Sequence, residues 1–369
     1  MSSMENKARV LVIGAGISGL TTALCLRQKG FQVTVIAEKF APHIVSVVAG
    51  ALWEWPPAVC GYHQDQLSLA RSKQWCTVSY EKFFELAIEE ETGVFIRPAN
   101  FYFRYEVEIS PKARYKMEEL QSKVQGFRHD AALIREHGVN ENIGLKDAYT
   151  YLAPMVDTDA YMKWLLFKVQ GMGCVMLDQR INGELCKQEK QLKKQFGVDA
   201  IVNCSGLGAR ELAKDDVSPL RGALVRVKND GSWMPLVKHA HCVSHESGHE
   251  QDMVFILPRG KNMLLLGGLV EPNEWNTDIT LSNYQPVRGM LERCVEFLPI
   301  LKQAQLDPEE PVRVGLRPFR QENVRLEREA GTQIIHNYGH GGSGVTFSWG
   351  CAQEVTARME VMLGYDKDW

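Results

Sequence analysis

Arg9-Val-Leu-Val-Ile13, then Gly14-Ala-Gly16-Ile-Ser-Gly19, then Leu20 to Lys29, then Gln32-Val-Thr-Val-Ile-Ala37 decide the fold. The first run is short, apolar and rich in β-branched residues, which predicts a buried strand. The glycines match G-x-G-x-x-G, Leu20 to Lys29 has helical composition, and Gly30 stands where a helix ends. Gln32 to Ala37 predicts a second buried strand, so about thirty residues make a strand–helix–strand unit. In such a unit Gly14 makes the turn, Gly16 lets a pyrophosphate approach the backbone, and Gly19 lets helix and strand pack closely. Free N–H groups and the helix dipole favour the anion. Glu38 lies 19 residues beyond Gly19, the spacing of a carboxylate that accepts from ribose hydroxyls.

A second glycine-rich stretch, Asn337-Tyr-Gly-His-Gly-Gly-Ser-Gly344, precedes an expected C-terminal helix from Val345 to Leu363. It is either a structural turn or a helix N-terminus facing the pyrimidine edge of a flavin. There amide donors and the dipole stabilise charge gained on reduction. A nicotinamide enzyme has no need of it, so the expected cofactor is FAD.

Composition limits the alternatives. The 369 residues suggest about two domains. A hydrophobic share of 45% and a charged share of 24% describe an ordinary globular chain, and a net charge of −3 gives no basic excess for nucleic acid. The uncharged run Val10–Leu26 is too short and too glycine-rich for a membrane span or a signal peptide. The ending Asp366-Lys-Asp-Trp369 is not a peroxisomal address. Nine cysteines with no C-x-x-C pair predict free thiols in a reducing compartment, so no metal site and a cytoplasmic location are expected.

Helices are expected at Leu67–Glu91 and Tyr151–Val169. Strands are expected at Val94–Tyr105, Val198–Asn203, Ala223–Val227, Met253–Leu257, Met263–Leu266 and Thr332–His336. Dinucleotide-binding elements thus recur at the start, middle and end. The expected fold is α/β: a discontinuous Rossmann-like FAD domain (1–55, 150–220, 310–369) with an inserted β-rich substrate domain (56–149, 221–309).

Four stretches carry a family resemblance. They are Val10–Gly19 with Val35–Phe40; Val48-Ala-Gly-Ala-Leu-Trp53; Ile201-Val-Asn-Cys-Ser-Gly206; and Val314-Gly-Leu-Arg-Pro-Phe-Arg320 with Val324–Arg328 and Ile335–Gly344. The chain resembles the D-amino-acid oxidase group of flavoenzymes, which includes D-aspartate oxidase and glycine oxidase. The resemblance implies an FAD domain and a substrate domain whose sheet covers the flavin, usually in a homodimer. The implied reaction moves a hydride from an α-carbon to FAD. Dioxygen then yields hydrogen peroxide, and the imino acid hydrolyses to a 2-oxo acid and ammonia. Arg317 corresponds to the arginine that holds the substrate carboxylate, a role suited to a planar guanidinium. The alternative is an ion-paired arginine. Gly342 falls where a backbone carbonyl accepts from the amine, Thr346 at the pyrimidine edge, and Ile181 at a strand position beside adenine. Ala49, Gly50 and Leu52 fall in the segment crossing the flavin. Ile17, Ser18, Lys39, Ser205, Gly206, Gly341, Ser343 and Gly344 complete the expected cofactor contacts.

Two departures qualify this. Tyrosines expected over the flavin are replaced by Phe255 and, near the lid, Gln251. A lost phenol removes a hydrogen bond to a charged group, about 1.5–3 kcal/mol. The substrate is then a free D-amino acid, a larger or N-substituted amine, or absent, leaving a flavin-binding protein without turnover. Glu54, beside Leu52-Trp53, either pairs with a cationic substrate side chain or is solvated or structurally bonded. Trp53 and Trp55 are core or cleft. His239, His241, His245 and His249 match no zinc spacing and are expected in a surface loop or cleft lining. Lys187–Lys194 is expected to be a solvated face.

Overall fold

A computed structural model describes residues 7–55, 65–243 and 253–365. The expected opening unit forms as β1 (Arg9–Ile13), α1 (Ile17–Gln28) and β2 (Gln32–Ala37). Next come α2 (Gln66–Leu86), β3 (Val94–Phe103), α3 (Pro111–Gln121), β4 (Gln125–His129), α4 (Leu133–Glu136) and β5 (Asp147–Val156). Then follow α5 (Thr158–Gly171), β6 (Val175–Asp178), α6 (Leu185–Phe196), β7 (Ala200–Asn203), α7 (Ala209–Leu212) and β8 (Val217–Lys228). The chain continues through β9 (Ala240–Val243), β10 (Val254–Arg259), β11 (Met263–Gly267), β12 (Glu271–Pro272) and α8 (Gln285–Phe297). It ends with β13 (Val312–Arg320), β14 (Arg325–Arg328), β15 (Ile334–Tyr338) and α9 (Gly344–Met362).

Among the described residues the strands form two sheets. The first has six strands in the order β14-β15-β7-β1-β2-β6, parallel except for the β14–β15 hairpin. Val10, Leu11 and Val12 are wholly buried at its centre, which is why β1 is an unbroken apolar run rather than an alternating one. Helix α1 is buried on nearly every side, against α5 and α9. The second sheet has nine strands, in the order β12-β8-β11-β10-β9-β3-β5-β4 with β13 on the other edge of β8. This is a Rossmann-like α/β unit interrupted by a β-rich unit.

Three boundaries differ from the sequence expectation. Residues 151–156 belong to β5, not to a helix: the stretch alternates around large aromatics and holds Pro154, and α5 starts only where the Asp157 carboxylate caps the amides of Asp159 and Ala160. Residues 147–156 and 312–320, expected wholly or mostly with the first domain, hydrogen-bond into the second sheet. Helix α2, expected with the second domain, packs on α9. Strand pairing over long sequence separations sets these boundaries, and no local pattern encodes it.

The indoles of Trp53 and Trp55 are buried and donate to the Cys76 carbonyl (3.0 Å) and to Glu119 (3.3 Å), so both are core residues. His241 lies on β9, not in a surface loop; it is buried and hydrogen-bonded to the Tyr102 hydroxyl at 2.9 Å. His245, His249 and Gln251 lie outside the described residues. Lys187–Lys194 falls on α6, which buries Leu185 and Leu192 and turns its lysines outward.

Candidate active site

The two sheets meet over one elongated cavity of about 830 Å³. Its first half is built where β1, β2 and β7 end. Gly14 has φ +110°, and a Cβ there would stand 2.4 Å from the Cys204 carbonyl oxygen, so only glycine lets the β1 turn pass β7. Gly16 caps α1 with no side-chain hydrogen bond, and Ser343 caps α9 in the same way. Two helix N-termini without side-chain caps therefore open onto one cavity. That donor set suits an anion and an electron-rich ring edge. A Cβ on Gly16 would meet only Ser46 Oγ, at 3.2 Å, and would otherwise project into the cradle.

Every expected cofactor residue except Gly19 borders this cavity. Gly19 sits behind it, and a Cβ there would fall 1.9 Å from the Gly14 carbonyl oxygen, which fits its expected packing role. Glu38 lies just past β2, exposed, and pairs with Arg180 at 3.5 Å. Ile181 is not on a strand: β6 ends at Asp178, and Ile181 follows in the loop against the cavity. The residues present fit FAD.

The segment Val47–Ala51 straps the middle of the cavity. Buried Arg259 holds it from below, donating to the carbonyls of Val47 (3.3 Å) and Ala49 (3.0 Å) and to Thr158 Oγ1 (2.7 Å). Burial depresses this guanidinium to about 10, and it stays protonated at neutral pH. Ala51 has φ +58°, left-handed backbone that costs a non-glycine residue about 1–2 kcal/mol. Sequence reading missed Arg259, because nothing local marks an arginine on a strand as the anchor of a distant strap.

The second half is lined by Leu52, Glu54, Phe255, Leu269 and Arg317. Arg317 is placed by β13, where it faces Leu220 of β8. Its guanidinium lies over Gly222, and its nearest acceptor is the Leu269 carbonyl, 3.4 Å from Nη1. Among the described residues no carboxylate pairs with it, and burial alone lowers it to about 10. The surface it retains belongs to the cavity. A cation removed from water without an anion is a costly arrangement, and an incoming carboxylate resolves it. The Phe319–His340 bridge ties β13 to the Gly341–Ser343 turn, so Gly342 and Arg317 border the same cavity. His340 is held neutral by burial, at about 4, and bonds Asn337 at 3.0 Å.

Gly222 is a second residue the sequence did not single out, since its importance depends on the β8–β13 register. A Cβ there would lie 2.3 Å from both terminal nitrogens of Arg317. Gly222→Ala should therefore swing the guanidinium aside without opening the core. Stability should stay within about 1 kcal/mol of wild type while kcat/KM falls about 10–100-fold. Paired thermal melts and steady-state kinetics check this.

A dinucleotide cradle and an unpaired buried cation in one cavity define a cofactor-dependent enzyme of an anionic substrate. The comparisons agree. A family model described as FAD dependent oxidoreductase matches residues 9–358. The chain is 34% identical over 354 residues to a D-amino-acid oxidase of Rubrobacter xylanophilus, covering 95% of each chain. It is 32% identical over 359 residues to a D-amino-acid oxidase of Streptomyces coelicolor, covering 95% of this chain and 96% of that one. In fold it matches the glycine oxidase of Bacillus cereus (TM-score 0.73, 17% identity, 98% of this chain and 96% of that one). It likewise matches the L-proline dehydrogenase of P. horikoshii (TM-score 0.76, 13% identity, 98% and 95%). The chain belongs to the D-amino-acid oxidase-type family of FAD-dependent oxidoreductases. No helix among the described residues is long and apolar enough to cross a membrane.

Proposed function

We propose that this protein is an oxidase of α-amino acids, with D-amino acids favoured. Buried, unpaired Arg317 beside the dinucleotide cradle carries the proposal. The two relatives named D-amino-acid oxidase support it. Bound FAD would supply the redox chemistry, as acceptor of a hydride from the α-carbon and donor of the electrons to dioxygen, with hydrogen peroxide as the product. Gly14, Gly16, Gly19 and Glu38 hold its ADP part, and Ala49, Gly50, Ser343, Gly344 and Thr346 its ring end. Arg317 grips the substrate carboxylate with two parallel N–H donors, and the Gly342 carbonyl accepts from the amine. Two fixed points orient the α-carbon, and orientation is worth several kcal/mol in a transfer that needs little acid–base help. The apolar wall of Leu52 and Phe255 excludes water. Hydrolysis of the imino acid then gives a 2-oxo acid and ammonia.

Phe255 favours one variant of this reading. A phenyl cannot replace the phenol's hydrogen bond to the carboxylate, so a bulkier or N-substituted amino acid, held more by contact, is the second candidate. The eight described cysteines are all free, which supports a reducing, cytoplasmic setting. A homodimer is proposed from the family resemblance alone.

Anaerobic mixing of FAD-loaded protein with D- and L-amino acids and their N-methyl derivatives tests the proposal. The oxidised flavin band should bleach with at least one class, fastest with a D-enantiomer. A flavin that no carboxylate-bearing amine bleaches overturns it.

A further inference from the structure

Two residues past the strap glycine, Gly50, the chain reads Leu52-Trp53-Glu54-Trp55. It alternates as an extended segment does. Both tryptophans point into the core and are pinned through their indole nitrogens, while Leu52 and Glu54 face the cavity. A backbone hydrogen bond from Trp53 to the Pro154 carbonyl (2.9 Å) fixes the segment against β5. Glu54 is thus held at the cavity wall by rigid neighbours.

Its carboxylate is poorly served. Oε1 is shut off from solvent and receives no hydrogen bond among the described residues. The cation beside it, Lys116 on α3, stands 3.7 Å away, beyond hydrogen-bond range. Burial pushes the Glu54 carboxyl above its usual range, and Lys116 only partly offsets this. A structural glutamate in this setting would have its lone pairs filled. This one has Oε1 sealed from solvent beside Lys116, while the side chain as a whole borders the cavity.

The second sheet lies between it and Arg317. The Arg317 guanidinium lies over Gly222 of β8. Leu224, two residues on and on the same face, pairs with Gly267 of β11, Gly267 with Phe255 of β10, and Phe255 with Cys242 of β9. The Leu52–Met155 bridge sets the Glu54 segment on β5, past β9 and β3 in the sheet order, so Glu54 lies beyond the β9 end of this row. Each strand crossed adds about 4.8 Å, so only a long side chain runs from one group toward the other. An extended α-amino acid with a three- or four-carbon stem and a cationic tip spans about 7 Å, and a charge-assisted hydrogen bond at each end adds about 3 Å. Gly267 carries no side chain in this lane, and Phe255 lines it with an apolar ring suited to a methylene stem.

Resting on the amino-acid oxidase reading above, we infer that Glu54 is the far anchor of the substrate pocket and selects an amino acid with a cationic side chain, an ammonium or guanidinium at the reach of lysine or arginine. The pocket is then bipolar, with Arg317 taking the carboxylate and Glu54 the distal cation, and FAD chemistry acting at the α-carbon near the Arg317 end. Phe255 becomes intelligible here: the binding lost with a phenol at one end is offset by a second ionic contact at the other.

The test is a ratio. kcat/KM is measured for D-arginine against D-citrulline, its neutral isostere, and for D-lysine against D-norleucine. Wild type should favour the cationic member of each pair, and Glu54→Gln should lower both ratios about 10–100-fold. Binding gives an independent readout. 5-Guanidinopentanoate, which has no α-amine to oxidise, should perturb the flavin spectrum at lower concentration than heptanoate, and Glu54→Gln should erase that difference. Wild-type ratios at or below one, or ratios unmoved in Glu54→Gln, overturn the inference while leaving the oxidase reading intact. Failure of every amino acid to reduce the flavin overturns the oxidase reading itself. Spectral binding of 5-guanidinopentanoate no tighter than heptanoate also sinks Glu54 as an anchor, whatever the kinetics.

Discussion

Arg317→Ala should lower kcat/KM for the best amino-acid substrate by about 30- to 4,000-fold, with no loss of thermal stability. The two halves of that expectation come from one observation: the guanidinium is buried against Gly222 and the Leu269 carbonyl with no carboxylate partner among the described residues. Truncating one member of a buried, hydrogen-bonded charge pair costs about 2–5 kcal/mol, and each 1.4 kcal/mol is a factor of ten. The pair here exists only when substrate is bound, so the whole penalty falls on the complex. The free protein loses a desolvated cation that stabilises nothing, and its melting temperature should equal or exceed that of wild type. An arginine serving the fold would behave oppositely, as Arg221 should: it is 2% exposed and bonds Glu271, the Asn276 carbonyl and the Tyr284 hydroxyl. Arg317→Lys keeps the charge but loses the planar fork, so it should fall between wild type and alanine. Guanidinium ion added to Arg317→Ala should recover part of the rate. Unchanged kcat/KM in Arg317→Ala would remove the carboxylate role, and a large drop in melting temperature would make Arg317 a structural residue.

The parts of this site legible in the sequence are those whose geometry is local. Gly14, Gly16 and Gly19 sit within one turn, so their pattern is local, and the structure sets Gly14 and Gly16 on the cavity with Gly19 packed behind them. The Gly341–Gly344 stretch is legible for the same reason, since a glycine-rich turn feeding a helix is a local object. The Arg317 position was reached through a motif, yet its surroundings could not be. Its platform is Gly222, 95 residues earlier in the chain, and only the β8–β13 register joins them. Arg259 was invisible because its meaning lies in carbonyls of a strap 210 residues away. The β5 error has the same root: aromatic residues spaced through Asp147–Val156 fit either period over a short window, and pairing with β3 decided between them. Glu54 lies between these cases. Its type and place suggest a contact; its unfilled Oε1 depends on α3 and β5 coming together.

The three glycines of the first turn should separate folding from cofactor binding. Gly19→Ala would put a methyl 1.9 Å from the Gly14 carbonyl oxygen, and both atoms belong to rigid elements, so α1 must move off β1. Displacing a packed helix from the centre of the six-stranded sheet should cost about 3–5 kcal/mol, a large share of a typical domain's stability. Gly14→Ala should be as severe, because its Cβ meets the Cys204 carbonyl at 2.4 Å and its φ of +110° is hostile to any side chain. Both variants should express poorly and melt well below wild type even before FAD is added. Gly16→Ala differs in kind. Its new methyl meets a movable hydroxyl, Ser46 Oγ at 3.2 Å, so the apoprotein should melt within a few degrees of wild type. The same methyl stands at the mouth of an α1 N-terminus whose N-cap residue offers no side-chain acceptor, the Ile17 N–H donating instead to Ser46 Oγ at 3.0 Å. A pyrophosphate held there at hydrogen-bond distance would be pushed outward, so FAD affinity should fall about 10–100-fold. Apoprotein melts with and without FAD, beside fluorescence titration of FAD, resolve the two effects. Should Gly16→Ala bind FAD as wild type does, the anion does not rest on the α1 N-terminus. Should Gly19→Ala melt like wild type, α1 and β1 are not the close-packed pair on which the cavity's first half depends.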